Sequence, residues 1–399
     1  MYTFSKRVSS LQPSAIREKM KNNKPGAISF AQGNPSSESF PFDELQTISE
    51  YLFQNNPNDF LQYGLSEGYE PLRRAILNRT KQQGYGKDFD EVIIVSGAQQ
   101  GIELSCKIFC NEGDSIICEN PSFIGSLNSF RSYNVNLLGV DVESDGMNIN
   151  QLEQQLKDNP NTKLIYTIPN FQNPTGVTMS LEKRKAIYNL AKQYNVLIVE
   201  DDPYGEVRFK GKPIPTIKSL DTEGIVIYIG SFSKVISAGL RVGYVLAPLD
   251  IVQKMVVTKQ CADVHTNLFA QIIVERFMTT YNYDLHLYKL QNLYKLKSEL
   301  MINCLNNQLI DYISFDEPEG GLFIWCELND NLNLSDFIKQ SSELGVSFIP
   351  GSVFSLSPHN QTQSFRLNYS TPSDQQIVEG ILRMKKAIAR LENNRGVKQ

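Results

Sequence analysis

Ile225-Val226-Ile227-Tyr228-Ile229-Gly230-Ser231-Phe232-Ser233-Lys234, followed by Gly239-Leu240-Arg241-Val242-Gly243, is the stretch on which the fold turns. Its opening is a continuous β-branched and aromatic run, the pattern of a strand buried on both faces. A lysine in the loop beyond such a strand stands at the carboxyl edge of a sheet, where open α/β sheets bind ligands. Lysine amines form Schiff bases when desolvated and held near other cations. The hydroxyls of Ser231 and Ser233, with the two-pronged guanidinium of Arg241, could hold a phosphate. A lone Ser-x-Ser-Lys more often marks a surface lysine in a Ser-rich turn, so its surroundings decide.

Outward from this stretch, similar apolar runs occur at 92–95, 115–118, 164–168, 196–199 and 243–246. Amphipathic helical patterns lie between them, at 99–109, 149–157 and 181–194. This alternation predicts an α/β fold with a mainly parallel sheet between helices. The large domain is expected over residues 48–288. A long polar helical pattern at 283–307 leads out of it. Strands are expected at 322–326, 346–349 and 364–368, and helices at 334–344 and 373–393. With the N-terminal segment these form a smaller α+β domain, residues 1–47 and 289–399. Residues 394–399 read as a frayed end.

Three other strand ends carry polar residues. Ile198-Val199-Glu200-Asp201-Asp202-Pro203-Tyr204 ends in consecutive acids. One of them could keep a pyridine nitrogen protonated, as an electron-sink cofactor of the pyridoxal type requires, and a solvated acidic turn is the alternative. Pro169-Asn170-Phe171-Gln172-Asn173-Pro174-Thr175-Gly176 is a loop fixed by prolines and glycine, from which an Asn amide can be aimed at a ligand oxygen. Val95-Ser96-Gly97-Ala98-Gln99-Gln100-Gly101 runs from strand to helix through small residues, where a helix N-terminus attracts an anion. It has neither the spacing of a P-loop nor the glycine fingerprint of a dinucleotide turn.

Bulk properties narrow the class. The 399 residues are 41% hydrophobic and 21% charged, with a net charge of -4, so no basic excess points to nucleic acid. The six cysteines form no C-x-x-C pair and suit the reduced thiols of a cytoplasmic protein. The three histidines lie far apart, without the spacing of metal ligands. The N-terminus has no apolar signal core, and no run reaches the ~20 residues of a membrane span. A cytoplasmic protein without metal, membrane or nucleic-acid partners is expected.

Taken together and in this order, the segments resemble the fold-type I pyridoxal-phosphate enzymes, in particular the class I and II aminotransferase family and its 2-aminoadipate/kynurenine-type subgroup. The resemblance runs from Ile28-Ser29-Phe30-Ala31-Gln32-Gly33-Asn34-Pro35 to Phe365-Arg366-Leu367-Asn368-Tyr369. It implies that the large domain's sheet is of the seven-stranded type and that Lys234 carries pyridoxal 5′-phosphate as a Schiff base. Asp201, spaced from Tyr204 as the family's aspartate is from its tyrosine, becomes the partner of the pyridine nitrogen. Tyr204 and Asn173 become the pair on the phenolic oxygen. Ser231, Ser233 and Arg241 become phosphate ligands, joined by the turn Gly97, Ala98 and Gln99. Phe123, in Glu119-Asn120-Pro121-Ser122-Phe123, stands where the family usually stacks a tyrosine on the ring; it keeps the stacking and loses the hydroxyl.

Arg366 resembles the arginine that binds the substrate α-carboxylate, and Gly33 and Asn173 line the substrate pocket in the same likeness. Tyr63, in Leu61-Gln62-Tyr63-Gly64-Leu65-Ser66-Glu67-Gly68, resembles the tyrosine that reaches the phosphate of the partner subunit, which implies a homodimer with shared active sites. Gly320-Gly321 and Pro350-Gly351 match family loops and suit a structural role as well. The activity implied is ping-pong transfer of an amino group from an L-amino acid (aromatic, 2-aminoadipate-like or branched-chain) to a 2-oxo acid such as 2-oxoglutarate. Lys234, Asp201 and Tyr204 are its catalytic residues. Two other readings share the fold: a β-lyase or related Cα-carbanion enzyme, and a ligand-sensing module of MocR-type regulators, which carry a winged-helix domain ahead of it.

Overall fold

A computed structural model describes residues 2–9, 11, 26–55, 57–357 and 362–396. The apolar runs form the strands Asp90–Val95 (β2), Ser115–Asn120 (β3), Thr162–Thr167 (β6), Leu197–Asp202 (β7), Val226–Ser231 (β8) and Gly243–Pro248 (β9). Two more strands, Asn136–Glu143 (β4) and Gly146–Met147 (β5), complete one sheet in the order β2-β9-β8-β7-β6-β3-β4-β5. The expected seven-stranded sheet thus has eight strands, the last a two-residue hairpin arm turned at Gly146, whose φ is +117°. β9 and β5 run against the other six. β4 lies towards the sheet's margin and fully buries only Val140; its short run Leu137-Leu138-Gly139-Val140, set between Asn136 and Asp141, is not among the expected strands.

Successive residues of each central strand feed different cores, as a period of two requires. Ile117, Ile165, Ile198 and Val226 pack into one cluster with Leu152, Leu156, Ile187 and Ala191 of the helices Ile149–Asp158 and Leu181–Tyr194. Ile116, Leu164, Val199, Ile227 and Ile229 pack on the other face with Ile102 and Leu104 of the helix Ala98–Phe109. Burying each such side chain is worth roughly 1.5–3 kcal/mol. The helices are bounded by ordinary signals: Ser180 and Asn148 accept N-terminal amides, and Asn195 ends its helix at φ +54°.

The connections fix where a site can form. From β3 the chain moves outward to β4 and β5, then returns across β3 to build β6, β7, β8 and β9 on the other side. The crevice beyond the carboxyl ends of β3 and β6 is therefore a topological switch point.

A helix of 27 residues, Tyr283–Leu309, leads to an antiparallel sheet. Its strands are Ile313–Phe315 (β10), Phe323–Leu328 (β11), Ile349–Pro350 (β13) and Ser364–Asn368 (β14), in the order β10-β11-β14-β13. The strand expected over 346–349 is two. Val346–Ser347 (β12) pairs in parallel with Ile28–Ser29 (β1), and β13 pairs with β14. The chain changes ladder at Phe348, and Pro350, lacking an N–H, closes the second ladder. The helices Leu334–Glu343 and Asp374–Gly396 follow the expectation, except that the last one continues helical beyond Asn394, where fraying was expected; 397–399 lie outside the described residues.

Among the described residues no helix is long and apolar enough to cross a membrane, and no cluster could hold a metal ion. His359 lies outside them.

Candidate active site

The ladder of β1 with β12 lays the N-terminal segment beside β14, where the Asn368 amide donates to Phe30 O at 2.9 Å. The segment then crosses the crevice of the large sheet. Together these elements enclose a cavity of about 920 Å³. Gly33, Ala98, Gln99, Phe123, Asn173, Asp201, Tyr204, Ser231, Ser233, Lys234, Arg241 and Arg366 all line it. The structure therefore gathers twelve of the fourteen expected site residues on one surface.

Lys234 stands in the loop after β8, and its Nζ donates to Gly33 O at 2.7 Å. Loss of water, then the cations Arg366 and Arg241, bring its amine down to about 8, against the pull of Asp201. Asp201, the penultimate residue of β7, is fully buried, and burial pushes its carboxyl up to about 7. Its Oδ2 accepts from the Tyr166 hydroxyl at 2.7 Å, while its Oδ1 is buried with no donor among the described residues. Asp202 points the other way: Asn170 and Tyr228 donate to its two oxygens at 3.0 and 2.9 Å, beside a second cavity of about 990 Å³. Alternation along β7 thus settles which acid faces Lys234.

Arg366, on β14, is 1% exposed. It donates to Asn173 Oδ1 at 2.7 Å and Ala31 O at 2.8 Å, and its guanidinium lies 4.0 Å from the Phe323 ring centre. No carboxylate pairs with it among the described residues, and its Nε is buried without an acceptor. Burial lowers it to about 10. A buried cation without a counter-ion is costly, and an anionic ligand would relieve that cost. Asn173 also donates to the Tyr204 hydroxyl at 3.4 Å, so the two converge on one point of the cavity.

The opposite end of the cavity is a cradle. Ser231 Oγ accepts from the Ser233 amide at 3.2 Å, and Arg241 reaches Ser233 Oγ at 3.4 Å and Ser96 O at 2.9 Å. Ala98 and Gln99 open their helix at its rim. Gly97 lies just behind: its φ is +78°, and a Cβ there would fall 2.0 Å from Arg241. Gly243 allows the same turn to approach, since a Cβ on it would meet the Ala98 amide at 2.8 Å.

Tyr63 is the residue the structure does not bring in. It is 81% exposed, with its ring 5.8 Å from that of His265, away from the cavity formed by its own chain. Other participants escaped the sequence reading. Gln32 and Asn34, which flank Gly33 in the Ile28–Pro35 motif but were given no role, line the cavity, as do Asn128 and Ser129, which no motif marks. Glu119, at the end of β3, is buried and pushed up to about 7 by that burial; it accepts from Thr167, the Ile168 amide and Gln172, so it ties the loop of Asn173 to β3.

A family model for aminotransferases of class I and II matches residues 25–383. The chain belongs to this family. It is 34% identical to aromatic-amino-acid aminotransferase 1 of Thermococcus litoralis, over 96% of this chain and 94% of that protein. It is 33% identical to the 2-aminoadipate transaminase of Thermus thermophilus, over 96% of each. The kynurenine aminotransferase of Pyrococcus horikoshii, solved with PMP and with kynurenine as substrate, superposes with a TM-score of 0.91 at 33% identity, covering 97% of both chains. This aminotransferase thus shares its whole architecture with relatives whose substrates differ, so the family fixes the reaction and leaves the side-chain pocket to be read locally.

Proposed function

We propose that this aminotransferase holds pyridoxal 5′-phosphate in the cavity of Lys234 and moves an amino group from an aromatic, 2-aminoadipate-like or branched-chain L-amino acid to a 2-oxo acid, with 2-oxoglutarate as acceptor. The observation that carries this reading is one cavity containing the lowered amine of Lys234, the unpartnered Oδ1 of Asp201 and the buried, unpaired Arg366. The names of the relatives support the donor class.

The residues present fit the cofactor. Asp201 Oδ1 lacks a donor, which a protonated ring nitrogen supplies. Asn173 and Tyr204 converge to hold a phenolic oxygen. Ser231, Ser233, Arg241 and the turn of Gly97, Ala98 and Gln99 suit a phosphate, and Phe123 offers an apolar wall for the ring. Bound pyridoxal phosphate supplies the electron sink for the carbanion formed at the substrate α-carbon. Arg366 grips the substrate α-carboxylate with its fork, and Gly33 leaves room beside it. Lys234, its amine lowered to about 8 so that a minor neutral fraction exists near neutral pH, takes the α-proton and returns it, acting as base and then acid.

The proposal extends to a cytoplasmic homodimer in which Tyr63 completes the cradle of the partner subunit. It is supported by the exposure of Leu61, Tyr63 and Leu65 on one segment and by six free cysteines. It also keeps the division into 48–288 and 1–47 with 289–399.

The test is Lys234→Ala, assayed for transfer from a panel of amino acids to 2-oxoglutarate. Turnover is expected to fall to background for every donor the wild type accepts. Undiminished turnover would remove Lys234 from the reaction.

A further inference from the structure

Every role assigned to Asp201 uses Oδ1, which leaves open what fixes the carboxylate so that this oxygen faces the cavity. Oδ2 takes a 2.7 Å hydrogen bond from Tyr166, and Tyr166 in turn accepts a 2.7 Å hydrogen bond from Ser126 Oγ. The directions follow from chemistry. An ionised carboxylate only accepts, so the phenol must donate to it, and its oxygen is then free to accept from Ser126. Tyr166 sits on β6 opposite Val199 of β7, placing Asp201 one same-face step along the neighbouring strand. The phenol is wholly buried and held edge-on against Phe130, with ring centres 5.4 Å apart. Ser126 belongs to the helix Ile124–Arg131, which starts at Phe123 on the cavity wall.

We infer that Tyr166, oriented by Ser126, is the positioning residue of Asp201: it occupies Oδ2, locks the carboxylate plane and aims Oδ1 at the ring nitrogen of the bound cofactor. This rests on the function proposed above. A phenol stabilises the carboxylate without cancelling its charge, so the full negative charge stays available to the pyridinium. The other charged or titratable groups facing Asp201 are Asp202 beside it on β7, Glu119 from β3, Tyr204 beyond β7 and Lys234 from the loop after β8.

The test compares pyridoxal-phosphate holoenzymes of wild type, Tyr166→Phe, Ser126→Ala and the double variant. It reads cofactor dissociation by visible absorbance, and kcat and KM across pH. In Tyr166→Phe a buried charge loses a donor, so kcat is expected to fall roughly 10–100-fold with KM for the amino acid nearly unchanged. Cofactor should dissociate about tenfold more readily. Activity is lost as pH falls through the carboxyl's pKa, and removing a donor to the anion raises that pKa. The acid limb of the kcat profile should therefore move up by about one pH unit. Ser126→Ala should shift it less in the same direction, and the double variant should match Tyr166→Phe, because Ser126 acts only through the phenol. A Tyr166→Phe holoenzyme with wild-type cofactor affinity and acid limb would overturn the inference, as would additive effects in the double variant. If Tyr166→Phe does not fold, an unmoved acid limb in Ser126→Ala overturns it instead. A wild type that binds no cofactor overturns the functional reading itself, a failure visible before any variant is made.

Discussion

Lys234 shows how a side chain acquires reactivity from its neighbours. An ordinary lysine amine, near 10.4, is almost wholly protonated at neutral pH and has no lone pair to offer. Here the loss of water and the charges of Arg366 and Arg241 bring it to about 8, even with Asp201 opposing them. Only the neutral amine can react with the cofactor's aldehyde, so the rate at which the cofactor-free protein takes up pyridoxal phosphate should climb with pH and level off above a midpoint near 8. Stopped-flow absorbance across pH measures this; a midpoint at the ordinary lysine value would show that the neighbouring cations do not act on Lys234. At this scale the sequence was informative at several polar residues that follow apolar runs, Lys234, Asp201, Asn173 and Ser231, all of which line the one cavity. Arg366 was legible only through the family resemblance, because one arginine within a strand has no local signature. Tyr166, Ser126 and Glu119 were invisible: in a strand or helix a buried polar residue reads like any other, and only tertiary pairing reveals what it holds.

The elements of the large sheet were legible because strands buried on both faces need continuous apolar runs. Strand β4 was missed because its margin position leaves most of its residues partly exposed. The short strands β12 and β13 were merged because the sequence carries no mark of the ladder change at Phe348. Turns were easier to place than to interpret. The small residues around Gly97 pointed to close backbone approach, and the structure shows what approaches: Arg241 at Gly97 and, at Gly243, which carried no such expectation, the Ala98 amide. The proposed phosphate cradle therefore depends on two glycines at strand ends as much as on the hydroxyls and guanidinium that would face the ligand.

Across the whole molecule, the site depends on residues that are distant in sequence. Gly33 comes from the N-terminal segment, Lys234 from the large sheet and Arg366 from β14, and two direct hydrogen bonds join them: Lys234 to Gly33 and Arg366 to Ala31. In the homodimer proposed above, the exposed segment of Leu61, Tyr63 and Leu65 would meet a second copy of the chain. Sedimentation at micromolar concentration should give a particle twice the 45.2 kDa chain, and a monomer at every concentration would leave Tyr63 without its assigned place. The central claim, amino transfer at Lys234, is tested most directly by the visible absorbance of the purified holoenzyme during addition of one amino acid and then one 2-oxo acid. A yellow band that bleaches with an aromatic or 2-aminoadipate-like donor and returns with 2-oxoglutarate is the expected result. The absence of any visible band after incubation with pyridoxal phosphate would contradict the account at its centre.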